Sequence, residues 1–154
     1  MLMLLLSTGN DRYALHTQDV IEVVPQVEMR TLPRAPGYVV GLLNYRALMV
    51  PVVDVCSLMH GSPCQPRLST RIVLVNYPVA DGAKHVLGLL AESVTDTVRV
   101  DERDLVPANI EIEQAPYLGK VFVVEGEMIQ CLRVEPLIPQ ELRHSLFVNE
   151  AESV

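Results

Sequence analysis

The apolar positions of this chain fall into short runs rich in Val, Leu and Ile, separated by clusters of Pro, Gly, Asn and Asp. That punctuation predicts strands and turns rather than long helices. "LMLLLS" at residues 2–7 reads as a first strand and "TGNDR" at 8–12 as a turn. "YALHTQDVIEVVP", residues 13–25, reads as a second β-rich segment in which Glu22 is enclosed by Val20, Ile21, Val23 and Val24. "RTLPRAPGY" is a proline-rich connection, since each proline turns its predecessor away from helix. Residues 39–43 are expected to form a short helical turn. "ALMVPVVDV" is continuously apolar rather than alternating, which predicts a strand buried on both faces.

"CSLMHG" predicts one helical turn ending at Gly61. "TRIVLVNY" at 70–77 is a second central strand, and "PVADGAK" a turn carrying Asp81-Gly82. In "HVLGLLAESVTDTVRV", residues 85–100, the β-branched positions favour strand. "DERDLVPANIEIEQAP" is an acidic, proline-bounded loop. "YLGKVFVVEGEMIQCLRV" is a hairpin with Glu125-Gly126 at its tip. "EPLIPQELRHSL" offers an amphipathic closing helix with Pro139 in its first turn, and 148–154 is a polar tail. Many short strands with brief connections make the fold mainly β, a barrel or a sandwich.

Composition narrows this. Of the 154 residues 49% are hydrophobic, but only 5% are aromatic and none is Trp, so aliphatic side chains must fill the core. Each one buried contributes about 1.5–3 kcal/mol, enough to expect stability without disulfides or metal. The formal charge of −7 disfavours nucleic acid and anionic membrane surfaces, both of which select basic faces. "MLMLLLSTG" lacks the basic start and cleavage site of a signal peptide and is too short to span a bilayer. Residues 39–55 are apolar enough to suggest a span, yet Asn44, Arg46, Pro51 and Asp54 interrupt them. The expectation is a cytoplasmic protein without membrane insertion.

Candidate chemistry is sparse. Cys56, His60 and Cys64 are spaced by four, but Gly61 and Pro63 break any helix that would align all three, and a fourth ligand is not near in sequence. Idle or buried thiols are therefore expected, with no metal and no cofactor. His16, His60, His85 and His144 lie outside any GxSxG or HExxH pattern, and no catalytic residue is assigned. The acidic clusters at 101–104 and 111–113 lack calcium-loop spacing and read as solvated loops.

One residue stands out. Arg46 interrupts "VVGLLNYRALMVPVVDV", and a guanidinium buried without a partner costs several kcal/mol. Asp54 shares its face only on an unbroken strand. Glu22 is the sole acid inside the other apolar run. A Glu22–Arg46 pair at the rim of a barrel is the functional expectation, and an arginine snorkelling from a strand end the structural one.

With these segments in place, "GLLNYRALMVPVVDV" resembles the signature of CheW-type coupling proteins, G-[IV]-x-N-x-R-G followed by a Pro-[IV]-[IV]-Asp strand. "RYALHTQDVIEVV" is similar to the opening of that family, "LPRAPGYVVGLLN" to its proline-bounded approach, "TRIVLVNY" and "LGLLAESVTDTVRV" to its central strands, and "APYLGKVFVVEGEMIQCL" to its closing hairpin. The resemblance implies a CheW-like domain over residues 1–147, made of two intertwined, SH3-like, five-stranded β-barrel lobes with a hydrophobic seam and a short C-terminal helix. It implies a non-catalytic adaptor linking a methyl-accepting chemoreceptor tip to a CheA-type histidine kinase, cytoplasmic but attached to membrane receptor arrays. The receptor-binding groove it implies is Val20, Glu22, Asn44 and Arg46. Ala47 stands where the family has glycine, so the backbone there is expected not to need positive φ. Tyr45 replaces a common aliphatic residue and Arg133 a common Asp. "STRIVLV" and "APYLG" look most like the coupling proteins of Wsp-type surface-sensing clusters, whose output is cyclic-di-GMP. The remaining length leaves no room for a receiver domain. The alternative is a small-ligand or metal-dependent enzyme on a β-barrel.

Overall fold

In a computed structural model, residues 1–78, 84–110 and 112–147 are described. The strands are β1 (Leu2–Thr8), β2 (Asp11–His16), β3 (Val20–Pro25), β4 (Val39–Tyr45), β5 (Leu48–Asp54), β6 (Arg71–Pro78), β7 (Lys84–Ala91), β8 (Ser93–Arg99), β9 (Leu118–Val124) and β10 (Glu127–Leu132). Two short helices, α1 (Val55–His60) and α2 (Gln140–Leu146), complete the chain with three 3₁₀ turns.

The strands form two five-stranded sheets in the orders β8-β1-β2-β10-β9 and β3-β6-β7-β5-β4. The chain builds two strands of the first sheet, all five of the second, then returns to finish the first. The lobes are therefore intertwined, as the resemblance implied. Each sheet curls on itself in the same way. The segment after edge strand β3 reaches the opposite edge, where Arg30 and Leu42 exchange backbone hydrogen bonds of 3.0 and 2.7 Å. The segment after β8 likewise reaches β9 through Val106 and Val121, at 2.9 Å both ways. At the first crossing a Cβ on Gly41 would collide with the Arg30 carbonyl, so only glycine fits.

Three apolar clusters account for the unalternating strands. Met3, Leu5, Phe122 and Ile129 fill the first lobe, and Val50, Val52, Ile72 and Leu74 fill the second. The residues of opposite parity, Leu4 and Leu6 on β1 with Val73, Val75, Leu87 and Leu89 on β6 and β7, meet in the seam between the lobes. A strand apolar at every position is thus one facing a barrel core on one side and the seam on the other. The closing helix caps this seam: Phe147 stacks on Tyr77 with ring centroids 4.7 Å apart, and the Tyr77 hydroxyl donates to the Glu135 carbonyl at 2.6 Å.

Several expectations are corrected. Residues 39–43 belong to strand β4, not a helical turn, because they pair with β5 along their length. The segment 13–25 divides at a 3₁₀ turn, Thr17–Asp19, where the chain leaves the first lobe for the second. The segment 85–100 divides at Glu92, where it returns. Pro139 precedes α2 as its N-cap rather than lying in its first turn. The Asp81-Gly82 turn, Glu111 and the tail 148–154 lie outside the described residues.

Candidate functional site

The β4–β5 hairpin places the site. Tyr45 pairs with Leu48, leaving a two-residue loop in which Arg46 and Ala47 have φ of 50° and 69°. Positive φ at both central positions is the turn whose twist matches that of the strands it joins. The expectation that Ala47 avoids positive φ is therefore overturned: the hairpin twist demands it, and alanine adopts it. The neighbouring Asn44 compensates, its Oδ1 accepting from the Ala47 N–H at 3.0 Å. Arg46 stands at the tip of this turn, not inside a strand, with 77% of its side chain exposed.

Glu22 arrives from the far edge of the same sheet. It lies opposite Leu74 on β6, whereas Val20 lies opposite Val75, with a bulge between. Opposed residues share a face, so the bulge turns Glu22 toward the second barrel's interior face while Val20 packs into the seam. At the barrel mouth the Tyr45 hydroxyl donates to Glu22 Oε2, and the Arg46 guanidinium lies 3.6 Å from the same oxygen. Arg46 also sits over the Tyr45 ring, 5.1 Å from its centroid. The hydrogen bond to Glu22, more than any desolvation, raises the pKa of the Tyr45 hydroxyl.

Of the four expected site residues, the structure brings Glu22 and Arg46 into contact and sets Asn44 beneath them as a turn support. Val20 points elsewhere, half-buried against the seam. Tyr45 is the participant the sequence reading left out. Asp54 is no partner of Arg46; it caps α1, its Oδ1 accepting from the Ser57 N–H at 3.0 Å. Next to the cluster residues in sequence, Ile21 and Val23 on β3 and Leu48 and Met49 on β5 are exposed.

The cysteine reading also changes. Cys56 and Cys64 are joined in a disulfide, with Cα atoms 5.1 Å apart, and Cys131 is free. His60 is not with them, since its Nε2 lies 3.1 Å from the Thr8 hydroxyl. Among the described residues, the group that could hold a metal is instead Asp54, Cys56 and Cys64, whose ligand atoms lie within 4.8 Å of one another. A disulfide leaves neither sulfur as a thiolate ligand. No helix among the described residues is long and apolar enough to cross a membrane.

Two curled five-stranded sheets, sharing an apolar seam and displaying a polar cluster on a hairpin tip rather than in a cavity, define a paired-barrel interaction module. The CheW-like domain family matches residues 2–142, and the chain belongs to that family. Chemotaxis protein CheW of Rhizobium meliloti (strain 1021) is 27% identical over 139 residues, covering 89% of this chain and 86% of its own length. Protein FrzA of Myxococcus xanthus is 26% identical over 99 residues, 64% of this chain and 59% of the relative. The crystal structure of scaffolding protein TtCheW from Thermoanaerobacter tengcongensis superposes with a TM-score of 0.79 at 22% identity, covering 90% of this chain and 87% of that one.

Proposed function

We propose that this protein is a non-catalytic adaptor that couples a methyl-accepting chemoreceptor to a CheA-type histidine kinase, working in the cytoplasm at membrane receptor arrays. The observation that carries the reading is the Glu22–Tyr45–Arg46 cluster, with Arg46 exposed at the hairpin tip and exposed Ile21, Val23, Leu48 and Met49 adjoining it in sequence. An exposed ion pair contributes at most about 1 kcal/mol to folding, and a cation over an exposed ring about as much. Neither explains an arginine at the tip as a folding device. A charged cluster on strands that also expose apolar side chains suits the amphipathic face of a helix, which is what a receptor tip presents. Glu22, Asn44 and Arg46 form the receptor-facing surface, with Val20 supporting β3 from the seam side. The domain is residues 1–147 and the tail 148–154. Individually weak contacts would be sustained by the effective concentration of an array.

The test is capture of a purified receptor cytoplasmic fragment and a CheA-type kinase by wild type and by Arg46→Ala. Wild type is expected to retain both, and the variant to lose the receptor by about tenfold or more, the scale of a buried charged contact, while keeping the kinase and its melting temperature. Glu22→Ala should couple to Arg46→Ala in a double-mutant cycle. Wild type that captures neither partner would leave only the fold. The likeness of "STRIVLV" and "APYLG" to Wsp-type coupling proteins supports a cyclic-di-GMP output. Deleting the gene should then lower cellular cyclic-di-GMP, and an unchanged level with impaired swimming would assign it to motility.

A further inference from the structure

Cys56 lies in the first turn of α1 and is 3% exposed, whereas Cys64 is only partly covered and lies in the loop between α1 and β6. That loop is exposed along most of its length, yet it is pinned by more than the sulfur bond. The Cys64 N–H donates to Asp54 Oδ2 at 2.9 Å, and the Gln65 N–H donates to Glu92 Oε1 at 3.1 Å. Arg67 lies 3.5 Å from Glu92 Oε2. Glu92 is itself 5% exposed and also accepts from the Gly9 N–H at 3.2 Å. Two buried carboxylates thus hold the loop against α1 without help from the sulfurs.

Each sulfur also has an acceptor within reach if it carries a proton. Cys64 Sγ lies 3.5 Å from the Leu90 carbonyl, and Cys56 Sγ lies 3.7 Å from Glu92 Oε1. Bonded or protonated, neither sulfur becomes an unsatisfied buried group. The Cα separation of 5.1 Å falls within the range a disulfide requires, and the backbone need not move between the two states.

We propose that Cys56 and Cys64 form a reversible dithiol–disulfide pair, with Cys64 as the exchanging sulfur, in which oxidation latches the 61–69 loop onto α1. The oxidant is a low-molecular-weight disulfide. The Cys64 thiolate attacks one of its sulfurs, a mixed disulfide forms, and the first small thiolate leaves. The Cys56 thiolate then attacks Cys64 Sγ, closing the intramolecular bond and releasing the second small thiolate. The two protons lost by the cysteines go to the two released thiolates, and the two electrons go to the small disulfide. A reducing dithiol reverses both steps. Cys131 takes no part: it is half-buried in the other lobe, and burial raises its thiol pKa, which slows attack. The hairpin tip that carries Arg46 precedes one end of β5 and Asp54 closes the other, some 20 Å away by strand rise, so the latch acts on stability and leaves the hairpin tip in place.

The test is equilibration of the purified protein across ratios of reduced to oxidised glutathione, with alkylation, mass spectrometry and thermal melting. Expected are three alkylated cysteines at the reducing end and one, Cys131, at the oxidising end, in a monomer two hydrogens lighter. Dithiothreitol should restore all three. The oxidised form should melt about 5–10 °C higher, from closure of a short loop in a chain of this size. In Cys64→Ser, which alters the less buried partner, that difference should vanish. Three free thiols at every ratio, or a bond that resists excess dithiothreitol in the folded protein, would overturn the proposal. So would stoichiometric zinc that shields both thiols of the reduced form.

Discussion

At the residue scale, the cluster at the barrel mouth shows how far a sequence can point and where it stops. Arg46 and Glu22 were legible as candidate partners because a guanidinium must find a partner and Glu22 is the sole acid inside the other apolar run. The third member, Tyr45, was not, since a tyrosine in a strand is ordinary and only the closure of the barrel brings its hydroxyl to Glu22. The turn itself was misread for a related reason: Ala47 carries no mark of the positive φ that strand twist imposes on it. A left-handed conformation costs a non-glycine residue about 1–2 kcal/mol. Ala47→Gly should therefore stabilise the protein by about 1 kcal/mol in urea unfolding, offset in part by glycine's greater unfolded-state freedom. A loss of stability would show that alanine is not strained there.

At the element scale, the contact that joins the two halves of the first sheet is parallel and short. β2 and β10 pair only at Tyr13–Gln130 and Ala14–Cys131. Arg12 reinforces them by a forked bond to Glu127, with Nη2 2.6 Å from Oε2. Hydrogen bonding from Arg12 holds the Glu127 carboxyl below its usual pKa. A carboxylate depressed in the folded state stabilises that state above its ordinary unfolded-state value and loses the contribution as pH falls through the folded one. Melting temperature followed downward from neutral pH should thus fall less steeply in Glu127→Gln than in wild type across that acidic window. Superimposable acid limbs would mean that the fork adds nothing to pairing. Strand identities were readable from β-branched, doubly apolar runs. The breaks at Thr17–Asp19 and Glu92 were not, because changing lobes leaves little trace in local pattern.

At the scale of the whole molecule, the seam decides cooperativity. Side chains from both sheets, among them Leu6, Leu15, Val73, Leu87 and Leu89, share one apolar cluster with Leu137, Ile138 and Phe147. Neither lobe can open without exposing the other. Leu89→Ala, at a fully buried position, should cost about 2–5 kcal/mol, and tyrosine fluorescence and far-ultraviolet dichroism should still report a single coincident transition. Two separated transitions would mean that the lobes unfold independently.

The order of apolar and polar residues was enough to specify a mainly β chain of short strands, an aliphatic core and an acidic balance of charge. These follow from period and charge, which are local properties. Which strands are neighbours, how each barrel closes on itself, where Val20 faces and that Cys56 meets Cys64 depend on the path of the chain between lobes. Those contacts join residues brought together by burying the seam, a free-energy gain belonging to the assembled sheets and to no single segment.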